Sequence, residues 1–439
     1  MKTVATIALR NLSRQKKRSL LLGGAIAFGI MIVTLINGFA GSFSNNVAEN
    51  FSHLAAGHVF ISGSEKTESD KELSVIRDDR ALTAAVAASG APVQYITRRS
   101  EFMGTLIFEG KKIRTTVAGA DLERETFLRE RLLLKDGSWE AMDDAHGLIL
   151  SEKIADRLNV QIGDILLVQM QTVTGQNNVG EFTLAGISFD TGILGQMTSY
   201  ANLGYTNELL GLAPEEYQTM GIMLEGLKFT DQASASIYEN LASSVQVFER
   251  GAKDDDGATT QFQAMLRQQS KEEWAGVKYR LFNINEMLSQ VQQIVVALDS
   301  TAAVILVVLF VIIMVGITNT FSMVMFERIR EIGTMRAMGV QRGGILTMFL
   351  FEASFLAIAG AVTGIVAALV VMAGLSLINF GMESPAFLIM KNGHLSFYLP
   401  PLRALGNIVI IALLTLVAVA RPAGRAAKLQ PAEALRTQK

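Results

Sequence analysis

The densest set of charged side chains at regular spacing lies in 327–339, Glu-Arg-Ile-Arg-Glu-Ile-Gly-Thr-Met-Arg-Ala-Met-Gly. Ile329, Ile332, Met335 and Met338 recur every third residue and give a helix one apolar face. Glu327, Arg328, Arg330, Glu331 and Arg336 cover much of the remainder, with Gly333 and Ala337 between them. Gly339 is placed to end the helix, and Gly343-Gly344 loosens the entry to the next apolar stretch. The chemistry on offer is ionic docking rather than bond-making. Two readings compete: a basic surface helix on the inner face of a membrane, and an element that receives force from a cytoplasmic partner. Residues for catalysis are missing. There are no cysteines, so disulfides, thiolate–metal sites and thiol nucleophiles are excluded. His53, His58, His146 and His394 form no metal-ligand spacing. No phosphate-binding G-x-x-x-x-G-K-[ST] loop is present, and Gly110-Lys111 is the only Gly-Lys pair. No G-x-S-x-G elbow or catalytic carboxylate pair is found either. The chain is therefore expected to be non-enzymatic and to bind no cofactor or metal itself.

The elements that position 327–339 are apolar. Half of the 439 residues are hydrophobic, only 18% are charged, and mean hydropathy is +0.32. About 20 apolar residues cross a bilayer as a helix. Four stretches qualify: 20–40, 301–325, 353–380 and 405–420. The first is too long for the apolar core of a cleaved leader and is expected to stay as a span. Charge sets the orientation. Residues 1–19 hold six basic and no acidic side chains, 322–344 hold four arginines and two glutamates, and the tail from Arg421 holds five basic and one acidic. The block 42–290 holds 22 Lys and Arg against 35 Asp and Glu, a net of −13. Both termini are thus expected in the cytoplasm and the acidic block outside. The spans are nearly free of ionisable groups, with Asp299 and Glu352 near their ends, which argues against an ion-driven carrier.

The outside block reads as mixed α/β. Strand signals occupy 58–61, 105–118 (a hairpin turned at 109–112), 164–170 and 181–186; helices are expected at 80–88 and 151–158, the latter with Ser151 as N-cap. Between the last two strands lies a polar loop containing Gln171, Thr172, Val173, Thr174, Gly175, Gln176, Asn177 and Asn178. Asp254-Asp255-Asp256 reads as a surface loop without calcium spacing. The expected organisation is an amphipathic cytoplasmic segment (1–19), first span (20–41), outer α/β domain with stalk (42–290), stalk and second span (291–326), surface helix (327–344), third span (345–382), outer loop (383–403), fourth span (404–421) and cytoplasmic tail (422–439).

The segment 327–339 closely resembles the E-R-x-x-E-I-G-x-x-R-A-x-G hallmark of the FtsX/MacB-type permeases of ABC transporters. Ala8-Leu-Arg-Asn-Leu-Ser-Arg14 resembles that family's amphipathic opening, Glu352 with Gly360 and Gly364 its third span, and 421–436 its R-x-A-x-x-x-P-x-E-A-L-R ending. Residues 148–164 resemble its periplasmic core domain. The resemblance implies an α-helical membrane protein with four transmembrane helices and a large mixed α/β extracytoplasmic domain, in the bacterial inner membrane. It implies a second permease, identical or sister, and a cytoplasmic ABC ATPase dimer that carries the ATP and Mg and docks on 327–339. Substrate is then worked on from the outer side, with no role for nucleic acid.

Within that family the chain looks most like the lipoprotein-releasing Lol-type branch, through Asn37-Gly-Phe39, Asn45-Asn46 and Gly57-His-Val-Phe-Ile61. That likeness implies a lipoprotein substrate taken from the outer leaflet and a periplasmic carrier. The loop Gln171 to Gly180 stands where the carrier-recruiting hairpin would be, yet it is shorter and lacks aromatic and proline residues, so an ordinary hairpin tip competes. Gly23, Gly24, Ala25, Ala27 and Gly29 fit either close helix packing or a lipid groove, packing being favoured. Export of a peptide, toxin or drug by a MacB-like complex, and signalling to a cell-wall hydrolase as in the FtsX branch, remain alternatives.

Overall fold

The structure, a computed structural model, describes all residues except 1–15, 69, 190–197, 252–260, 382, 385 and 429–439. The opening 8–14, the acidic triplet at 254–256 and the end of the tail lie outside the described residues. The chain divides into two units: one of residues up to 43, 294–378 and 396 onward, the other of 44–293 with 379–395.

The first unit is built on long helices, Lys16–Ala55, Ser289–Glu327, Arg342–Ser376 and Pro401–Lys428, which carry the four apolar spans. The first, second and fourth overrun the apolar stretches that mark them in the sequence; the third starts earlier than expected, at Arg342, but ends at Ser376, short of 380. Gly41, Ser42, Ser44, Asn45 and Asn46 beyond Ala40 are poor helix formers, so tertiary contacts such as the Asn46 and Asn50 side-chain bonds carry the first helix onward, whereas the Gln- and Val-rich residues before Thr301 extend the second. The first helix stops only where Ala56 turns left-handed at φ 60° and the Gly57 amide donates to the Ser52 carbonyl. The fourth helix continues past Arg421 with Pro422 inside it. A proline there leaves the carbonyl four residues earlier without its helical donor. The Thr318 hydroxyl of the second span donates to that carbonyl, on Ala418, at 3.2 Å.

Close packing between the first and third spans comes from small residues. A Cβ on Gly364 would lie 2.4 Å from the Ala27 carbonyl oxygen, and one on Gly360 would lie 2.9 Å from that of Gly23. Gly24, by contrast, faces open space. Ile26, Ile30, Ile317, Phe321, Phe349, Ile411 and Val419 fill the core between the helices.

The second unit is one eleven-stranded sheet. Its strands are β1 (Val59–Lys66), β2 (Glu72–Ser74), β3 (Val93–Phe108), β4 (Lys111–Ala120), β5 (Leu134–Gly137), β6 (Gly147–Ser151), β7 (Ile165–Gln171), β8 (Asn177–Ser188), β9 (Thr198–Asn202), β10 (Thr219–Leu224) and β11 (Val277–Asn283). The order is β11-β1-β10-β3-β4-β9-β6-β8-β5, with β2 on β1 and β7 joining β3 and β8. Pairing is antiparallel except β4 with β9 and β6 with β8. The β3–β4 turn is two residues, Glu109 and Gly110, both at positive φ, the twist-compatible hairpin geometry. Helix Arg80–Ala88 forms as the alanine-rich stretch predicts. Helix Glu152–Leu158 begins after Ser151, but the Ser151 side chain makes no capping bond, and its Oγ is buried without a partner.

The end of the first helix is clamped to this sheet. The Ala56 carbonyl accepts from the Thr97 hydroxyl at 2.7 Å, and the Leu54 carbonyl accepts from the Arg99 guanidinium. Arg99 in turn pairs with the fully buried Glu125 at 2.5 Å. A further segment, 379–395, closes the unit. The Asn46 amide donates to the Ile389 carbonyl at 2.9 Å, and the Asn50 amide donates to that of Met390 at 2.6 Å. Leu388 joins the cluster formed by Leu54, Phe127 and Tyr200.

Candidate functional site

Residues Ile329–Ala337 form a separate helix between the second and third spans. Glu327 is the last residue of the second-span helix, and Arg328 is the joint, at φ −102° and ψ 16°. The C-terminus is a Schellman closure: the Val340 amide donates to the Met335 carbonyl at 3.0 Å and the Gly339 amide to that of Arg336 at 3.1 Å, with Gly339 at φ 96°. Only glycine takes that conformation without strain. Gln341 then opens the third-span helix.

Burial divides the helix into two faces. Ile332 and Gly333 are buried, Ile329, Met335 and Arg336 half-buried, and Ile332 packs into the core between the spans. Glu327, Arg330, Glu331, Thr334 and Ala337 are exposed. Met338 departs from the sequence expectation: it is 77% exposed, because the helix has already unwound into its cap there and the three-residue repeat no longer applies. The outer face is therefore charged and carries the apolar side chains of Ala337, Met338 and Val340 at its tip.

Arg328 fastens the joint. Its Nε lies 2.9 Å from Glu331 on the surface helix, and its Nη1 lies 3.6 Å from Glu352 inside the third span. The guanidinium also sits 5.9 Å from the Phe349 ring centre. Glu352 has 7% side-chain exposure and Arg328 has 14%. One arginine thus ties the second-span end, the surface helix and the third span together. Sequence reasoning noted Glu352 without finding this partner. The available signal was a lone acid in an apolar helix, which needs a nearby cation. On the other side of the spans, Asp299 and Arg403 pair at 2.8 Å.

The second set of candidate residues lies elsewhere, in the α/β unit. Gln171 belongs to β7, and Asn177 and Asn178 belong to β8, so the loop is 172–176 rather than the ten residues expected. Ladder bonds join backbones, so polar side chains do not stop the pairing, which runs out to Gln171↔Asn177. The Thr172 amide donates to the Gln176 carbonyl at 2.9 Å, and Gly175 supplies the positive φ, at 79°. Thr172 and Thr174 hydroxyls bond at 2.9 Å. The tip is held down: the Val173 amide donates to the Leu210 carbonyl at 3.0 Å and the Asn178 amide side chain donates to that of Leu209 at 2.8 Å.

Four helices of membrane-crossing length around a charged surface helix, with a large α/β domain, define a multi-pass membrane protein. Comparison with known proteins gives the family. The MacB-like periplasmic core domain matches residues 19–249, more than half of the chain, and the FtsX-like permease C-terminal domain matches 303–431. The chain belongs to the FtsX/MacB-type family of ABC transporter permeases. It is 22% identical over 440 residues to the macrolide export ATP-binding/permease protein MacB of Neisseria meningitidis serogroup B, covering 96% of this chain and 58% of that protein. It is 36% identical over 124 residues to the pyoverdine export ATP-binding/permease protein PvdT of Pseudomonas entomophila, covering 28% of this chain and 17% of that protein. The match therefore spans less than two thirds of these relatives. The periplasmic region of MacB from Actinobacillus actinomycetemcomitans aligns at 12% identity and TM-score 0.30, covering 54% of this chain and 92% of that chain.

Proposed function

We propose that the chain is the membrane subunit of an ABC transporter that converts ATP hydrolysis by a separate cytoplasmic ATPase dimer into movement of its outer α/β domain. It pairs with a second permease and sits in the bacterial inner membrane with both termini in the cytoplasm. The observation that carries this reading is the helix Ile329–Ala337: an exposed charged face backed by a buried one and tied through Arg328 to Glu352. A push on that face reaches two spans at once. Glu331→Lys tests the docking role. It is expected to abolish ATPase-coupled turnover while leaving membrane insertion unchanged; unchanged coupled turnover refutes the assignment.

The substrate is worked on from the outer side, since the apolar spans offer no polar pathway. Lipoprotein extraction from the outer leaflet for transfer to a carrier is our first reading, resting on the Lol-type sequence features around the first span. Export of a peptide, toxin or drug is the second, favoured by the likeness to MacB, which spans 96% of this chain and 58% of that protein. Native purification in mild detergent, with proteins and acyl chains identified by mass spectrometry, separates them. Triacylated lipoproteins with an ATPase support extraction. An adaptor and outer-membrane channel without lipoprotein support export, and the absence of any ATPase overturns the ABC reading.

A further inference from the structure

The α/β unit contains a cavity of about 560 Å³, inside the usual range of roughly 300–1,000 Å³ for small-molecule sites. Five separate stretches of chain line it: 45–50, residue 131, 226–228, residue 285 and 390–392. Its charge contrasts with its surroundings. The outer block carries −13 overall, yet Arg131, Lys228 and Lys391 line this cavity against a single carboxylate, Glu49. That carboxylate is already engaged by His53 at 3.7 Å.

None of the three cations forms an ion pair among the described residues. Arg131 donates from Nη1 to the neutral amide oxygen of Asn392 at 2.8 Å, which uses one of its five N–H groups. The Lys228 ammonium lies over the Phe229 ring at 4.6 Å. In the same unit, Arg77, Arg80, Arg98, Arg99, Lys135, Arg250 and Lys278 each have a carboxylate partner. What sets the cavity apart is that three cations line one space beside a single carboxylate, Glu49, whose charge Arg131 also feels. Asn45 lines the same wall and adds amide donors. Guanidinium, ammonium and amide donors facing one space are the donor set for a phosphate oxyanion, and a recessed site focuses their field.

We infer that this cavity binds the phosphate group of a phosphate ester, as a phospholipid headgroup or as a soluble ester. The headgroup is the source the sequence favours. Asn45 follows Ala40, the end of the first apolar stretch, by five residues of the same helix, a rise of about 8 Å. The polar layer on each side of a bilayer is of that thickness, roughly 5–8 Å. The inference does not depend on the coupling assignment, because its readout involves no ATPase.

The test uses the full-length chain in two arms. In the first, the protein is released from nanodiscs of mixed phosphatidylglycerol and phosphatidylcholine, and retained lipids are counted by native mass spectrometry. In the second, delipidated protein in detergent is titrated calorimetrically with glycerol phosphate and with inorganic phosphate. Arg131→Gln/Lys228→Gln/Lys391→Gln is expected to lower retention of phosphatidylglycerol and affinity for glycerol phosphate by about tenfold. Glu49→Gln, which removes the only acid, is expected to raise both by about twofold to threefold, a gain that misfolding does not produce. Lipid retention together with glycerol phosphate binding assigns the headgroup. Binding of the soluble esters alone, sensitive to the same variants, assigns a soluble ligand. Equal retention and equal affinity across wild type and both variants overturn the proposal.

Discussion

Removing Arg328 should harm the protein more than removing the acid it holds. At 3.6 Å the attraction between Arg328 and Glu352 is about 5 kcal/mol at an effective dielectric of ~20, before desolvation is subtracted. Arg328→Ala leaves Glu352 charged and buried without a partner, a defect that costs about 3–5 kcal/mol. The 14% exposure of Arg328 puts the figure near the lower end, about 3 kcal/mol. Glu352→Gln is milder, about 1 kcal/mol, because a neutral amide removes the buried charge that needs a counter-ion and Arg328 keeps Glu331 at 2.9 Å. In the double variant the orphaned charge is gone, so its cost should be about 2 kcal/mol, below that of Arg328→Ala alone. The assay is thermal unfolding in detergent, followed by size exclusion of a fluorescently tagged chain. The expected order of midpoints is wild type, Glu352→Gln, the double variant, then Arg328→Ala. A double variant less stable than Arg328→Ala, or additive singles, would refute the claim that Glu352 depends on Arg328.

Gly364→Leu should destabilise the span unit by about 1–3 kcal/mol in the same assay, since its Cβ meets the Ala27 carbonyl at 2.4 Å, whereas Gly24→Ala, facing open space, should be neutral or slightly stabilising. Thr318→Val should cost about 1 kcal/mol by depriving the Ala418 carbonyl of its donor, and less in a Pro422→Ala background, where the helix regains its own amide; equal costs in both backgrounds would remove the link to the proline. His58 is held down to about 4 by burial, and its Nδ1 accepts from the Leu224 amide at 3.0 Å. Because the folded value lies below the ordinary 6.5, stability from the neutral imidazole is fully present above pH 6.5 and is lost as pH falls toward 4, by about 3 kcal/mol. Trp139 and Trp274 both belong to the α/β unit and report its denaturant midpoint; His58→Gln should flatten that part of the pH profile.

The spans are legible in the sequence because bilayer crossing demands long uncharged runs and little else in a chain produces them. The β3–β4 hairpin is legible for a similar reason: Glu109-Gly110 separates two runs rich in apolar and β-branched residues. Helix ends are harder to read. Nothing in the composition near Asn45 or Asn50 distinguishes a helix that stops at the membrane surface from one that continues to Ala55. The Arg328–Glu352 tie depends on two residues 24 positions apart meeting across a joint, and spacing rules cover only neighbours on one helix. Met338 shows the opposite limit, where a correct apolar repeat fails at its last member because the cap intervenes. The phosphate-type cavity is invisible in the sequence, since its three cations are spread from residue 131 to 391 among ordinary surface charges.

The segment 379–395 gives the α/β unit an order of manufacture. Asn50 waits for carbonyls at Leu388 and Met390, the nearer of which is 338 residues later in the chain. At about 5–20 residues per second, translation takes roughly 20–70 s to supply them. In that interval the ribosome also makes the second and third spans. Leu54, Phe127 and Tyr200 hold an unfinished cluster until Leu388 arrives. The last piece reaches the unit only after the polypeptide has crossed the bilayer twice more. Completion of the α/β unit therefore follows synthesis of the second and third spans. A chain stalled or misthreaded at the second or third span would carry a domain missing its closing segment, with the apolar surface of Leu54, Phe127 and Tyr200 that Leu388 covers left exposed.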